Sequence, residues 1–180
     1  MMFASKEKDA VSSKTSHKYE KLLLRVSERR RIVTVIELVD CFSVFITVLV
    51  YLSLLVVSLF FDDFCFTLNL MLIPGIPFVA ISLLRRLINA KRPYEIYDIP
   101  NLKPGKHRGH SFPSRHVFSA FAIGTLVLGF LPVSGAVALL CGILLSVARV
   151  LLGRHFPRDV IAGAIVGTVT SALGLIILNM

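Results

Sequence analysis

The sequence predicts an all-α fold: a polytopic membrane helical bundle of about five transmembrane helices, preceded by a basic N-terminal tail or surface helix. Three observations predict it. Hydrophobic residues make up 55% of the 180-residue chain, at a mean hydropathy of +0.77, a composition that suits an integral membrane protein better than a soluble domain. Five apolar runs succeed one another, against the roughly 20 residues that suffice to cross a bilayer. The cations are segregated: the 20 Lys and Arg fall in the first 31 residues, in Arg85–Arg115 and in Arg149–Arg158. A net charge of +9 can mean nucleic acid, a membrane surface or an anionic substrate. Alternation with apolar spans favours the last two, and no nucleic-acid partner is expected.

Residues 1–32 read as a basic tail or amphipathic segment and residues 33–180 as the membrane domain. Residues 1–16 are polar and mixed in charge, the composition of a disordered stretch. From His17 to Arg31, leucines and Val26 are interleaved with cations, which suits either a helix lying at the headgroups or a solvated tail that orients the first span. Val33 to Phe61 is the first span, and Glu37 and Asp40 near its start read as interfacial partners of Arg29–Arg31. Asp62-Asp63 makes an acidic turn. Phe64 to Leu84 is the second span, where Pro74-Gly75-Ile76-Pro77 should kink or locally break the helix. Pro93 ends its cationic extension. The loop from Tyr94 to Phe112 follows, with His107 and His110 read as solvated. The third span begins at the helix-start signals Pro113 and Ser114 and runs to about Leu131. Pro132 to Gly135 reads as a turn, Ala136 to Leu152 as the fourth span and Val160 to Leu178 as the fifth. Gly163, Gly167 and Gly174 in that last helix suit close helix packing. Cys41, Cys65 and Cys141 have no ligand spacing and read as small buried hydrophobes.

The stretch from Arg149 to Asp159 concentrates the chemistry. Arg, His and Asp at a membrane boundary are costly to place, and the stretch taken alone suits either a functional site or a charged cytoplasmic loop that only fixes topology. His155 and Asp159 are four apart, so a helix entering there puts both on one face. A carboxylate beside an imidazole fixes its tautomer and raises its basicity. Arg149 offers a fork for phosphate oxygens. Arg85 and Arg92, seven apart, share a helix face. Ser114 opens a helix whose free N–H groups favour a phosphate. With five spans, the junction of spans two and three and that of spans four and five lie on one side of the membrane. Arg85, Arg92, Ser114, His116, Arg149, His155 and Asp159 can therefore meet at one face. A pocket with so many cations and one carboxylate should hold a dianion, with no metal or other cofactor required.

At these residues the chain resembles the type-2 phosphatidic acid phosphatases, the membrane branch of the vanadium haloperoxidase superfamily. Three motifs carry the resemblance, over roughly residues 75–178: Arg85-x6-Arg92-Pro93, Pro113-Ser114-Arg115-His116 and Ala148-Arg149-x5-His155-x3-Asp159. The family pattern has Lys at Arg85, Gly at Arg115 and Ser at Ala148. The resemblance implies that His155 attacks phosphorus and forms a phosphohistidine, with Asp159 orienting it. It further implies that His116 protonates the leaving alkoxide and later activates water, while Arg85, Arg92, Ser114, Arg115 and Arg149 hold the phosphoryl oxygens. The expected activity is metal-independent hydrolysis of a lipid phosphate: phosphatidic acid, phosphatidylglycerophosphate or a polyprenyl diphosphate. The alternative is a catalytically impaired lipid-phosphate-binding membrane protein, which would keep the arginines without needing both histidines. An anion transporter would carry polar residues near the midplane of its spans, and spans three and five are almost purely apolar. The expected location is a multi-pass position in the plasma membrane of a prokaryote. All 20 cations lie on the side of the N-terminus and the site, which by the positive-inside rule is the cytoplasmic side.

Overall fold

The computed structural model describes residues 17–61, 64–97, 99 and 109–178. The acidic turn at 62–63, His107 and the stretch 1–16 lie outside them. Among the described residues the regular structure is helical. A first helix, α1, covers residues 17–27. It is followed by α2 (Arg30–Phe61), α3 (Phe64–Ile88), the single-turn α4 (Pro93–Ile96), α5 (Arg115–Leu128), α6 (Pro132–Leu151) and α7 (Pro157–Leu178).

Four helices, α2, α3, α6 and α7, are long and apolar enough to cross a membrane. The expected third span is different. At 14 residues, α5 is shorter than the others, and it buries eight of them, including Phe118, Ile123 and Leu126. It contacts all four long helices, so it is the axis of the bundle rather than one of its outer staves. The outer helices show the inverse of a soluble protein. Leu38, Phe42, Leu59, Leu140 and Ile165 stand exposed, while Ser43, Thr47, Ser58, Thr67 and Ser171 are buried. Lipid is the solvent here, so apolar side chains gain nothing by turning inward, and small residues let helices approach. Ser58 and Thr67 hydrogen-bond each other across α2 and α3 at 2.9 Å.

Several expected boundaries move. Helix α3 runs unbroken through Pro74 and Pro77. Each ring removes one N–H from the ladder but leaves the helix continuous, as packed membrane helices allow. Pro132 is the first residue of α6 rather than part of the turn, because a missing N–H costs nothing at that position. The turn is made by residues 129–131. Cys41 and Cys65 are exposed on the outside of the bundle, and only Cys141 is buried as expected.

The glycines of α7 set the geometry of the site. A Cβ on Gly163 would lie 2.6 Å from the carbonyl oxygen of Ser114, and one on Gly167 would lie 2.5 Å from that of Phe118. Helices α5 and α7 therefore touch backbone to backbone. That contact brings Asp159, one turn before Gly163, beneath the start of α5, where the Ser114 amide donates to the Asp159 carbonyl at 3.0 Å.

Candidate active site

Four chain segments meet at one end of the bundle: the end of α3, the loop before α5, the α6–α7 connection and, from the N-terminal side, α1 with the start of α2. The α6–α7 connection turns on Gly153, whose φ of +63° reverses the chain after α6. The amides of Arg154 and His155 then return to the carbonyl of Arg149, at 3.0 and 3.3 Å. His155 is thus carried by a loop that caps α6. It precedes α7, which begins at Pro157, so it does not share a helix face with Asp159 as the spacing suggested.

The two side chains nevertheless meet. His155 and Asp159 are both buried, 1% and 0% exposed. His155 Nδ1 lies 3.7 Å from Asp159 Oδ2, beyond hydrogen-bond reach. Ser111 stands between them: its Oγ donates to Asp159 Oδ2 at 2.5 Å and lies 3.4 Å from His155 Nδ1. The Phe156 amide gives Asp159 Oδ2 a further hydrogen bond at 3.0 Å. Burial pushes the His155 pKa down. Interaction with Asp159 opposes that shift, and the charges of Arg92 and Arg85 reinforce it.

The cations are distributed around this pair. Arg85 is buried, and its two terminal nitrogens donate to the carbonyls of Pro113 and His110. His110 in turn bonds the Arg85 carbonyl through Nδ1 at 2.9 Å. It is half-buried and anchors the end of α3, which corrects the expectation of a solvated loop residue. Because α3 ends at Ile88 and Pro93 starts α4 with Arg92 as its N-cap, Arg92 does not share a helix face with Arg85 as the spacing suggested; it donates through Nε to the Gly109 carbonyl at 2.9 Å. Glu95 accepts from the amides of Arg92 and Gly109, at 3.3 and 2.6 Å, and so ties α4 to the loop before α5. Ser114 is the N-cap of α5, but its hydroxyl makes no capping bond. The Oγ is buried and has no protein hydrogen-bond partner. His116 is exposed at the start of α5, within reach of the charges of Arg149, His155, Arg115 and Arg85. Arg115 stacks its guanidinium over the Phe78 ring, 5.8 Å from the centroid.

Two contacts from the N-terminal side were not foreseen. Tyr19 of α1 donates to the Val150 carbonyl at 2.8 Å and lies 3.3 Å from that of His155, so α1 is docked on the α6–α7 connection. Asp40 does not pair with Arg29–Arg31. It is 6% exposed, and its two oxygens lie 2.6 Å from Arg149 Nε and from Arg154 Nη1. A carboxylate inside an apolar run, one turn beyond Glu37, is the available signal for it. Ser111 and Tyr19 carried no such signal, since hydroxyls are common in loops and surface helices.

Residues 63–180 match the PAP2 superfamily. The chain is 34% identical over 106 residues to a lipid A 1-phosphatase of Rhizobium johnstonii, covering 53% of this chain and 41% of that protein. It is 36% identical over 62 residues to the bacitracin transport permease protein BcrC of Bacillus licheniformis, covering 34% of this chain and 30% of that one. The matched stretches thus span less than half the length of these relatives. Among solved structures, LpxE of Aquifex aeolicus superposes with a TM-score of 0.60 at 27% identity, over 77% of this chain and 86% of that one. A transmembrane PAP2-type phosphatidylglycerolphosphate phosphatase of Bacillus subtilis shares the fold, with a TM-score of 0.70 at 19% identity over 97% and 89% of the two chains.

Proposed function

Because the chain belongs to the PAP2 superfamily, we propose that this integral membrane protein is a metal-independent lipid phosphate phosphatase that works through a phosphohistidine. The observation that carries the reading is the His155–Ser111–Asp159 arrangement, buried beneath an unpartnered serine hydroxyl and ringed by arginines.

The chain from Nδ1–H through Ser111 to Asp159 leaves the lone pair on Nε2 of His155. That nitrogen attacks phosphorus, and the bond from phosphorus to the lipid oxygen breaks. His116 gives its proton to the departing oxygen. Water then attacks the phosphohistidine, His116 takes a proton from it, and inorganic phosphate leaves with His155 restored. The depressed pKa of His155 supports this role, because a nucleophilic imidazole must be neutral. Ser114 Oγ, the first amides of α5 and Arg149 are suited to receive the phosphoryl oxygens as charge moves onto them. Arg85 and Arg92, spent on loop carbonyls through some of their nitrogens, act by shaping the Pro113–Ser114 turn and by their charge. Arg115, stacked on Phe78, reaches a phosphate only by leaving that ring.

A site at the end of the bundle, within a lipid-facing wall, suits a substrate with its tail in the bilayer and its phosphate at the interface. Lipid A 1-phosphate, phosphatidic acid, phosphatidylglycerophosphate and a polyprenyl diphosphate are the classes to test, beside a water-soluble ester. The experiment is phosphate release by detergent-purified protein in the presence of chelator, run in parallel with His155→Ala. Release from a lipid substrate, abolished in the variant, is the expected result. Release that survives the substitution, or that requires a divalent metal, overturns the proposal. The segregation of Lys and Arg supports a cytoplasmic site in a prokaryotic plasma membrane. A cysteine placed in the 103–108 loop should then resist an impermeant reagent in intact cells.

A further inference from the structure

We infer that Asp40 is the positioning residue for Arg149, supplied to the site by a helix that lies wholly before the family-matched region. The inference rests on the phosphatase reading and adds to it the group that aims one of its phosphate-binding arginines. Arg149 Nε lies 2.6 Å from Asp40 Oδ1, and both side chains are about nine-tenths buried. Asp40 Oδ2 holds Arg154 Nη1 at the same distance, and Glu37 stands 3.9 Å from Arg154 Nη2. One carboxylate of α2 thus grips both arginines that flank the sharp reversal into His155.

The chemistry of the grip is specific. An arginine side chain carries rotamer entropy that must be given up when it clamps an anion. A partner that engages it beforehand removes part of that cost. The contact at Nε is an ion pair without hydrogen-bond geometry, and it leaves Nη1 and Nη2 for a ligand, since neither donates to a protein group among the described residues. Without Asp40, two cations side by side would have no buried counter-ion. Repulsion and desolvation would drive Arg149 out of place.

Positioning and simple electrostatics predict opposite signs. Removing an anion near a phosphate site raises the local positive potential and should tighten phosphate binding. Losing the anchor of Arg149 should weaken it. The test is competitive inhibition by inorganic phosphate, with kcat and KM, on monodisperse wild type, Asp40→Ala, Asp40→Asn and Arg154→Ala. Asp40→Ala should weaken phosphate inhibition and lower kcat/KM by about ten- to a hundredfold, the scale of a misplaced substrate clamp. Asp40→Asn keeps the shape and one oxygen acceptor, so it should fold and fall between the two. Arg154→Ala leaves the Arg149 pair intact and should keep the wild-type inhibition constant. Unchanged or tighter phosphate inhibition in both Asp40 variants overturns the inference while leaving the phosphatase reading standing. So does an Arg154→Ala loss equal to that of Asp40→Ala, which would make the loop tie the whole effect. Wild-type protein that neither releases phosphate nor is inhibited by it overturns the function and the inference together.

Discussion

At the far end of the bundle, Leu54, Leu70, Leu126 and Val127 bury against one another, with Phe130 and Leu175 packed around them. At the site end, α2, α3, α6 and α7 bury Asp40, Arg85, Arg149 and Asp159. The far end is held by shape and dispersion, in which one apolar side chain can replace another of similar volume. The site end is held by named partners: Arg85 by two carbonyls, Asp159 by a hydroxyl and an amide, Arg149 by a carboxylate. Stability and chemistry are therefore separable along the axis of this protein. Substitutions at one end should unfold it without altering turnover, and substitutions at the other should silence it while it stays folded.

The largest break in that comparison is expected from Asp159→Asn, which keeps the shape but removes the charge at the end of the Ser111 relay. Turnover of the folded protein should fall by about a hundredfold or more, the scale of losing an acid–base partner, as read by phosphate release. Gly163→Leu comes next, because it disturbs both packing and chemistry. Its side chain would meet the Ser114 carbonyl and force α7 from α5. Overpacking of this kind costs about 1–3 kcal/mol and should also lower activity, measured as a reduced thermal midpoint together with reduced kcat. Ser111→Ala should slow turnover less than Asp159→Asn, since Asp159 then remains able to approach His155 directly.

The pH profile sharpens the comparison. His155 titrates below its ordinary value of about 6.5, so its neutral form persists into mildly acidic solution. The acid limb of kcat/KM should therefore lie below pH 6.5, with activity lost as pH falls through the folded-state value. Proton linkage has the same sign: below about pH 6.5 the unfolded chain takes up a proton that buried His155 refuses, so stability also declines toward acid. An acid limb at or above 6.5 would contradict the burial of His155. The smallest effect on chemistry belongs to the far end. Leu126→Ala should remove about 2–5 kcal/mol of stability through the cavity it leaves, while kcat per folded molecule stays at the wild-type value.

Much of the proposed site is legible in the chain because its residues lie close together in sequence. Arg149, His155 and Asp159 fall within one turn-and-helix segment, and Ser114 opens the next helix inward. What escaped was the support. Ser111 sits only three residues before Ser114, yet its hydroxyl matters because α7 brings Asp159 to it from 48 positions away. Asp40 looked like an interfacial carboxylate because the nearest cations in sequence are Arg29–Arg31. Its actual partner lies over a hundred residues further on, across the α2–α6 contact. Periodicity reads a helix, but it does not read which helix lies beside it.

Hydropathy and charge act residue by residue, so the membrane class, the succession of apolar runs and the cationic junctions are legible in the chain alone. Only the tertiary structure decided that α5 is the inner axis, that Ser111 stands between His155 and Asp159, and that an N-terminal carboxylate grips Arg149. Those outcomes depend on how closely helices approach. That distance was set where Gly163 and Gly167 let two backbones touch, a property of paired surfaces rather than of any one segment.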